Sequence, residues 1–123
     1  MDVEDAKIAA GAGADAIVVS NHGGRQLDGA MSSIKALPPI IDAVGDKIEG
    51  WMDGGIRSGQ DLLKALAMGA KGTMIGHAFN FWLGAMGEAG VTTALEIIQK
   101  EFDTSMALCG VRNVGEIGRH VIL

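Results

Sequence analysis

The sequence has no tyrosine, one cysteine and two prolines, and aromatic residues make up only 4% of its 123 residues. With Cys109 alone, no disulfide can form within the chain, which favours a reducing compartment. The longest uncharged stretch, Gly72 to Gly87, is shorter than the roughly 20 residues of a membrane span, so no transmembrane segment is predicted. We therefore expect a cytoplasmic protein, in solution or peripheral at the inner face of the membrane.

Positive charge is also scarce. Asp and Glu number 15 against 10 Lys and Arg, a formal net charge of −5, which argues against nucleic acid as a partner. The three histidines and the cysteine do not have zinc-ligand spacing, so no metal site is predicted. What the chain has in abundance is glycine: the 19 glycines are scattered at the ends of predicted elements, which is typical of tight turns in one small globular domain.

Helical and strand patterns alternate along the chain. The run Ala16–Val19 is apolar and mostly β-branched, which predicts a parallel strand buried on both faces. Pro38 and Pro39 put the start of the second helix in doubt, and could delay it to Pro39. The predicted helices are Val3–Ala12, Ser33–Val44, one that begins at the capping box Ser58–Asp61, and Glu88–Phe102; the predicted strands are Ala16–Val19, Ile48–Met52 and Thr73–Ile75.

A weak internal repeat supports an α/β fold. The segment Gly13–Val19 resembles Gly69–Ile75, and each is a helix stop followed by a strand. Repeated units of this kind suit a (β/α) barrel, although an open α/β sheet uses the same turn.

Polar residues follow each predicted strand. In parallel α/β folds, ligands bind at the carboxyl ends of the strands. Those ends are Ser20–Gly29, Asp53–Arg57 and Gly76–His77.

The second and third ends together predict a phosphate site. Gly54 and Gly55 allow backbone N–H groups to turn toward an anion, and Arg57 adds a planar cationic donor. The capped helix near Ser58 is expected to point its positive end the same way, and Gly76 to offer another N–H. The alternative is a plain turn without a ligand.

The first end carries a candidate base. Histidine side chains titrate near neutrality, so His22 could accept a proton, and Arg25 could bind a carboxylate beside it. Proton abstraction from an α-hydroxy acid requires such a pair. The alternative is a loop histidine hydrogen-bonded to the backbone.

These residues match a known family. Ser20–Gly29 resembles the signature of FMN-dependent α-hydroxy-acid oxidases and dehydrogenases, whose members include lactate, glycolate and mandelate enzymes. The resemblance covers nearly the whole chain and continues through Ala36–Pro38, Asp53–Gly59, Lys64–Ala70 and Gly84–Val91.

The resemblance implies FMN as cofactor, oxidation of an L-2-hydroxy acid such as lactate to the 2-oxo acid, and a role for each matching residue. His22 would be the catalytic base and would bind substrate together with Arg25. The residues implied for flavin binding are Ser20, Asp53, Gly54, Gly55, Arg57, Gly76 and His77. For His77 the alternative is a solvated loop residue that does not contact the flavin.

The fold implied for residues 1–123 is the C-terminal part of an FMN-binding barrel domain: three strand–helix units of a TIM (β/α)8 barrel, and so an incomplete barrel. His77 departs from the family, which usually has arginine there. An upstream lysine, tyrosines and an aspartate of the family active site have no counterpart here. We therefore expect this chain to need partner strands or to form a homo-oligomer, or to be a truncated product.

Two alternatives remain open from sequence. One is a different phosphate-binding barrel, of the IMP dehydrogenase or type 2 isopentenyl-diphosphate isomerase kind, which lacks the Ser20–Gly29 signature. The other is a half-barrel that binds flavin or phosphate without catalysis.

Overall fold

The computed structural model describes residues 1–122, which form four helices, three strands and three short 3-10 turns. The helices are α1 (Val3–Gly11), α2 (Ser33–Val44), α3 (Gly59–Ala67) and α4 (His77–Leu108). The strands are β1 (Ala16–Val19), β2 (Glu49–Met52) and β3 (Gly72–Thr73), and the 3-10 turns are His22–Gly24, Val114–Glu116 and Arg119–Val121.

The strands form one parallel sheet in the order β1-β2-β3, which is also their order along the chain. Ala16 pairs with Glu49 and Val19 with Met52, while Met52 pairs in turn with Thr73. A helix connects each strand to the next, so the predicted strand–helix units are confirmed. Because every strand runs the same way, all three carboxyl ends lie along one edge of the sheet.

The main core lies between the sheet and the helices α1 and α2. Leu37, Val44 and Met52 are the largest side chains with almost no exposure to solvent. Burying each such side chain stabilises the fold by about 1.5–3 kcal/mol. A second cluster joins α3, α4 and the segment that follows α4, through Leu63, Phe102, Met106 and Val111.

The prediction that β1 is buried on both faces is wrong. Val19 is buried against the helices, but Ala16 and Val18 face outward, and Val18 is 44% exposed. The helices pack on one face of the sheet, so alternate residues on the other face have nothing over them in this chain. The exposed face is the one that would point into a closed barrel.

Helix α2 begins at Ser33 and continues through Pro38 and Pro39, so the delay to Pro39 does not occur. Proline costs a helix the hydrogen bonds that its missing N–H would make. The buried positions Leu37, Ile40 and Val44 offset that cost by fixing the helix against the sheet.

Helix α4 consists of two parts that meet at Gly87: the second begins at Glu88 as predicted and runs six residues past the predicted end at Phe102, while the first, from His77, was not predicted. It bends at Gly87, whose φ of 61° and ψ of −140° are non-helical. The two parts pack closely there, since a Cβ added to Gly90 would lie 2.1 Å from the carbonyl oxygen of Trp82. Within residues 1–122, no helix combines the length and hydrophobicity needed to cross a membrane.

Candidate active site at the strand ends

Residues from all three strand ends enclose one cleft at the carboxyl edge of the sheet. Its volume is about 360 Å³. It is lined by Gly23 and Arg25 after β1, by Asp53–Arg57 after β2, and by Met74–His77 with Asn80 after β3. The structure therefore brings the predicted carboxylate-binding arginine and the predicted phosphate residues together. Ser20 and His22 lie at the same edge but outside the lining of this cleft.

The loop after β1 holds His22 in an unusual backbone conformation. His22 is the one non-glycine residue among residues 1–122 with a positive φ, 58°. Residues other than glycine rarely adopt a positive φ, because the Cβ crowds the backbone at a cost of roughly 1–2 kcal/mol. The His22 N–H donates to the Ser20 hydroxyl at 3.0 Å, and the Arg25 N–H donates to the His22 carbonyl at 3.3 Å. His22 and Arg25 thus lie at the two ends of one 3-10 turn, and both side chains are exposed.

Asn21 fastens this loop to the start of α2. Its backbone N–H donates to the Ser33 hydroxyl at 3.3 Å, and its side-chain amide donates to the Met31 carbonyl at 3.3 Å. Asn21 and Ser33 were not singled out from the sequence. The available sign for Asn21 was its place in the polar segment that follows β1, but nothing local shows that its partner is twelve residues away.

The loop after β2 has the features of an anion or hydroxyl site. Gly54 and Gly55 have φ of 82° and 81°, and nothing lies within 4 Å of the space that a Cβ on Gly55 would take. Among the described residues, Asp53 Oδ1 is buried without a hydrogen-bond partner. A buried acceptor left in this way costs free energy unless a ligand supplies a donor.

The positive end of α3 is already occupied, contrary to the expectation that it would serve the ligand. The N–H groups of Arg57 and Ser58 both donate to Asp61 Oδ2 at 3.1 Å, and the capping box predicted at Ser58 is present. The Gly59 N–H donates to Glu101 Oε2 at 2.9 Å. Two carboxylates thus take the donors that an incoming phosphate would use.

The positive end of α4 faces the cleft instead. Gly76 is its N-cap and His77 its first residue, so His77 belongs to a helix and not to a loop. The first N–H groups of a helix have no partner within that helix, which makes its start an anion site. The His77 ring is exposed and packs against Phe81, with ring centroids 5.9 Å apart.

The cleft suits a ligand with a phosphate and hydroxyl groups. Arg25, Arg57 and His77 surround it with nitrogen donors, and Asp53 adds one acceptor without a partner. This donor set matches a phosphorylated polyol such as the tail of FMN. Within residues 1–122, no three His, Cys, Asp or Glu side chains are grouped so as to hold a metal ion.

Fold and cleft together define an α/β protein with a parallel sheet and a candidate ligand cleft at its strand ends. Comparison with known proteins gives the family. The chain belongs to the FMN-dependent dehydrogenase family, whose sequence profile matches residues 1–123.

Individual relatives agree with this assignment. An L-lactate dehydrogenase of Caulobacter vibrioides is 56% identical over 122 residues, covering 99% of this chain and 32% of the relative. One from Actinobacillus pleuropneumoniae is 51% identical over 123 residues. A mandelate oxidase solved with benzoyl-formic acid superposes with a TM-score of 0.91 at 49% identity, covering 94% of this chain and 34% of that one. The chain spans about a third of the length of these relatives, and its fold is part of a (β/α)8 barrel.

Proposed function

We propose that residues 1–123 form the C-terminal part of a barrel domain that oxidises an L-2-hydroxy acid, such as lactate, to the 2-oxo acid with FMN. The observation that carries this proposal is the convergence of Arg25, Arg57 and Gly76 on one cleft, with His22 on the adjoining turn. The names of the relatives support it, since they are L-lactate dehydrogenases and mandelate oxidases.

In this proposal, Arg25 binds the substrate carboxylate with its planar pair of donors and so fixes the hydroxyl-bearing carbon. His22 takes the hydroxyl proton and holds it as the imidazolium. The oxidation removes the hydroxyl proton, which His22 takes, and the α-hydrogen with its electron pair, for which bound FMN would supply the acceptor.

The residues of the second and third strand ends would hold FMN. Arg57 and the N–H groups at Gly76 and His77 would bind the phosphate, and the buried Asp53 oxygen would accept from a ribityl hydroxyl. Gly55, which has nothing within 4 Å of its would-be Cβ, leaves room for close approach. The Ser20 hydroxyl accepts from His22 and keeps its own hydrogen to donate to the flavin.

The test uses a chimera in which this chain replaces the matching segment of the Caulobacter vibrioides L-lactate dehydrogenase. We expect the folded chimera to bind FMN, and L-lactate to bleach the flavin absorbance under anaerobic conditions. The chain alone should give little or no bleaching, because it supplies only three strands. A folded chimera that binds FMN but is not bleached by L-lactate, mandelate or other 2-hydroxy acids would contradict the proposal.

A second candidate is a flavin- or phosphate-binding half-barrel without catalysis. The uncovered face of the sheet around Val18, and the free edges of β1 and β3, favour association with another chain. A soluble oligomer of defined mass that binds FMN without turnover would support this candidate. A polydisperse aggregate of the chain would count against it.

A further inference from the structure

The hydroxyl of Ser33 lies where three parts of the candidate site meet. Ser33 is the first residue of α2 and is only 3% exposed. Its hydroxyl accepts the Asn21 N–H from the loop after β1. On its other side is the loop after β2, where a Cβ added to Gly54 would come within 3.2 Å of the Ser33 hydroxyl and 3.4 Å of Asn21 Oδ1.

The usual role of serine at a helix start does not explain this arrangement. Such a serine caps its own helix by accepting an N–H from the first turn. The N-cap of α2 is Ser32, and its side chain makes no capping bond. Ser33 directs its acceptor to a residue twelve positions earlier, on the loop that carries His22.

We propose that Ser33 is a positioning residue. It holds the loop after β1, which carries His22, in a fixed position relative to the loop after β2, Asp53–Arg57, which is proposed to bind the flavin phosphate. Asn21 directly precedes His22, whose positive φ is costly and persists only if its neighbours are fixed. The Asp53 N–H bond to the Val19 carbonyl sets the spacing of the two strands, and beyond the strands the Ser33 hydroxyl links Asn21 of one loop to the neighbourhood of Gly54 in the other. This inference rests on the proposed function, because the relative position of the two loops matters only if a substrate at His22 meets a flavin held near Gly54.

The test compares Ser33→Ala with Ser33→Thr, which keeps the hydroxyl, in the chimera described above. Ser32→Ala is the matched control, since it removes an exposed neighbouring hydroxyl that makes no capping bond. The measurements are the rate of flavin reduction at saturating L-lactate, the dissociation constant of FMN, and hydrogen–deuterium exchange of the peptide spanning residues 20–25.

For Ser33→Ala we expect flavin reduction about threefold to tenfold slower and exchange of the peptide faster by a similar factor, as the loss of one hydrogen bond implies. The dissociation constant of FMN should stay within about twofold, because Ser33 donates nothing to the phosphate site. Ser33→Thr and Ser32→Ala should behave like the parent.

Unchanged exchange in Ser33→Ala would overturn the inference, as would equal losses in Ser33→Ala and Ser33→Thr. The two proposals can fail separately. If L-lactate does not bleach the parent chimera, the proposed function fails, while the exchange comparison still decides whether Ser33 holds the loop.

Discussion

Replacing Gly59 with alanine should destabilise the chain sharply, because α3 begins against the backbone of α4. A Cβ at Gly59 would lie 2.0 Å from the backbone nitrogen of Phe102 and 2.6 Å from the carbonyl oxygen of Ile98. These are backbone atoms, which cannot rotate away as a flexible side chain can. The two helices would have to separate, and the Gly59 N–H bond to Glu101 would lengthen or break.

The magnitude follows from three terms. Overpacking costs about 1–3 kcal/mol, and a hydrogen bond to a charged group contributes about 1.5–3 kcal/mol, toward the lower end here because Glu101 is exposed. Alanine returns at most about 1 kcal/mol as a better helix former. The expected net loss in the free energy of unfolding is about 2–4 kcal/mol, which lowers the Tm by roughly 10 °C.

Gly84→Ala is the control, and it should change the free energy of unfolding in the opposite direction. Gly84 is exposed in α4, and nothing lies within 4 Å of the Cβ that it would gain. This change should raise stability by about 0.5–1 kcal/mol. Thermal and urea unfolding followed by circular dichroism at 222 nm measures both variants. A Gly59→Ala chain as stable as the parent would refute the packing of α3 on α4 described above.

Three further predictions concern the chimera with FMN. His22→Asn should slow flavin reduction by L-lactate about 10²–10⁴-fold in stopped-flow measurements, with FMN affinity unchanged, because it removes the base. Arg57→Ala should weaken FMN binding about tenfold or more but leave riboflavin binding unchanged, since riboflavin lacks the phosphate; equal losses for both ligands would contradict the assignment. His77→Arg should tighten FMN binding by up to about tenfold through a permanent charge at the start of α4, and weaker binding would place His77 away from the phosphate.

Local patterns predicted much of the fold. The apolar run of β1 and the spacing of α2 gave both elements with their observed bounds, and the capping box at Ser58 is present. These features depend on neighbouring residues, so they are visible in a short window of sequence. The ends of β1 and β2 were likewise predictable, because polar and glycine residues follow both strands, whereas β3 ends at Thr73 and not at the predicted Ile75.

Long-range contacts account for what the sequence did not predict. Whether the second face of β1 is buried depends on what packs against that face of the sheet, and the apolar residues of β1 do not show this. At the start of α3, Asp61 takes two donors within the predicted capping box, but the Gly59 N–H is taken by Glu101, which lies 42 residues away in sequence and gives no local sign. Ser33 was missed for the same reason, since a serine at a helix start gives no local sign that it binds another loop.

The most direct test of the central claim is a crystal structure of the chimera with FMN and a 2-oxo acid. We expect phosphate oxygens within about 2.7–3.1 Å of the Arg57 guanidinium and of the N–H groups at the start of α4, with the acid's carboxylate on Arg25 beside His22. An FMN phosphate bound away from the Asp53–His77 cleft, or a 2-oxo acid out of reach of both Arg25 and His22, would contradict it.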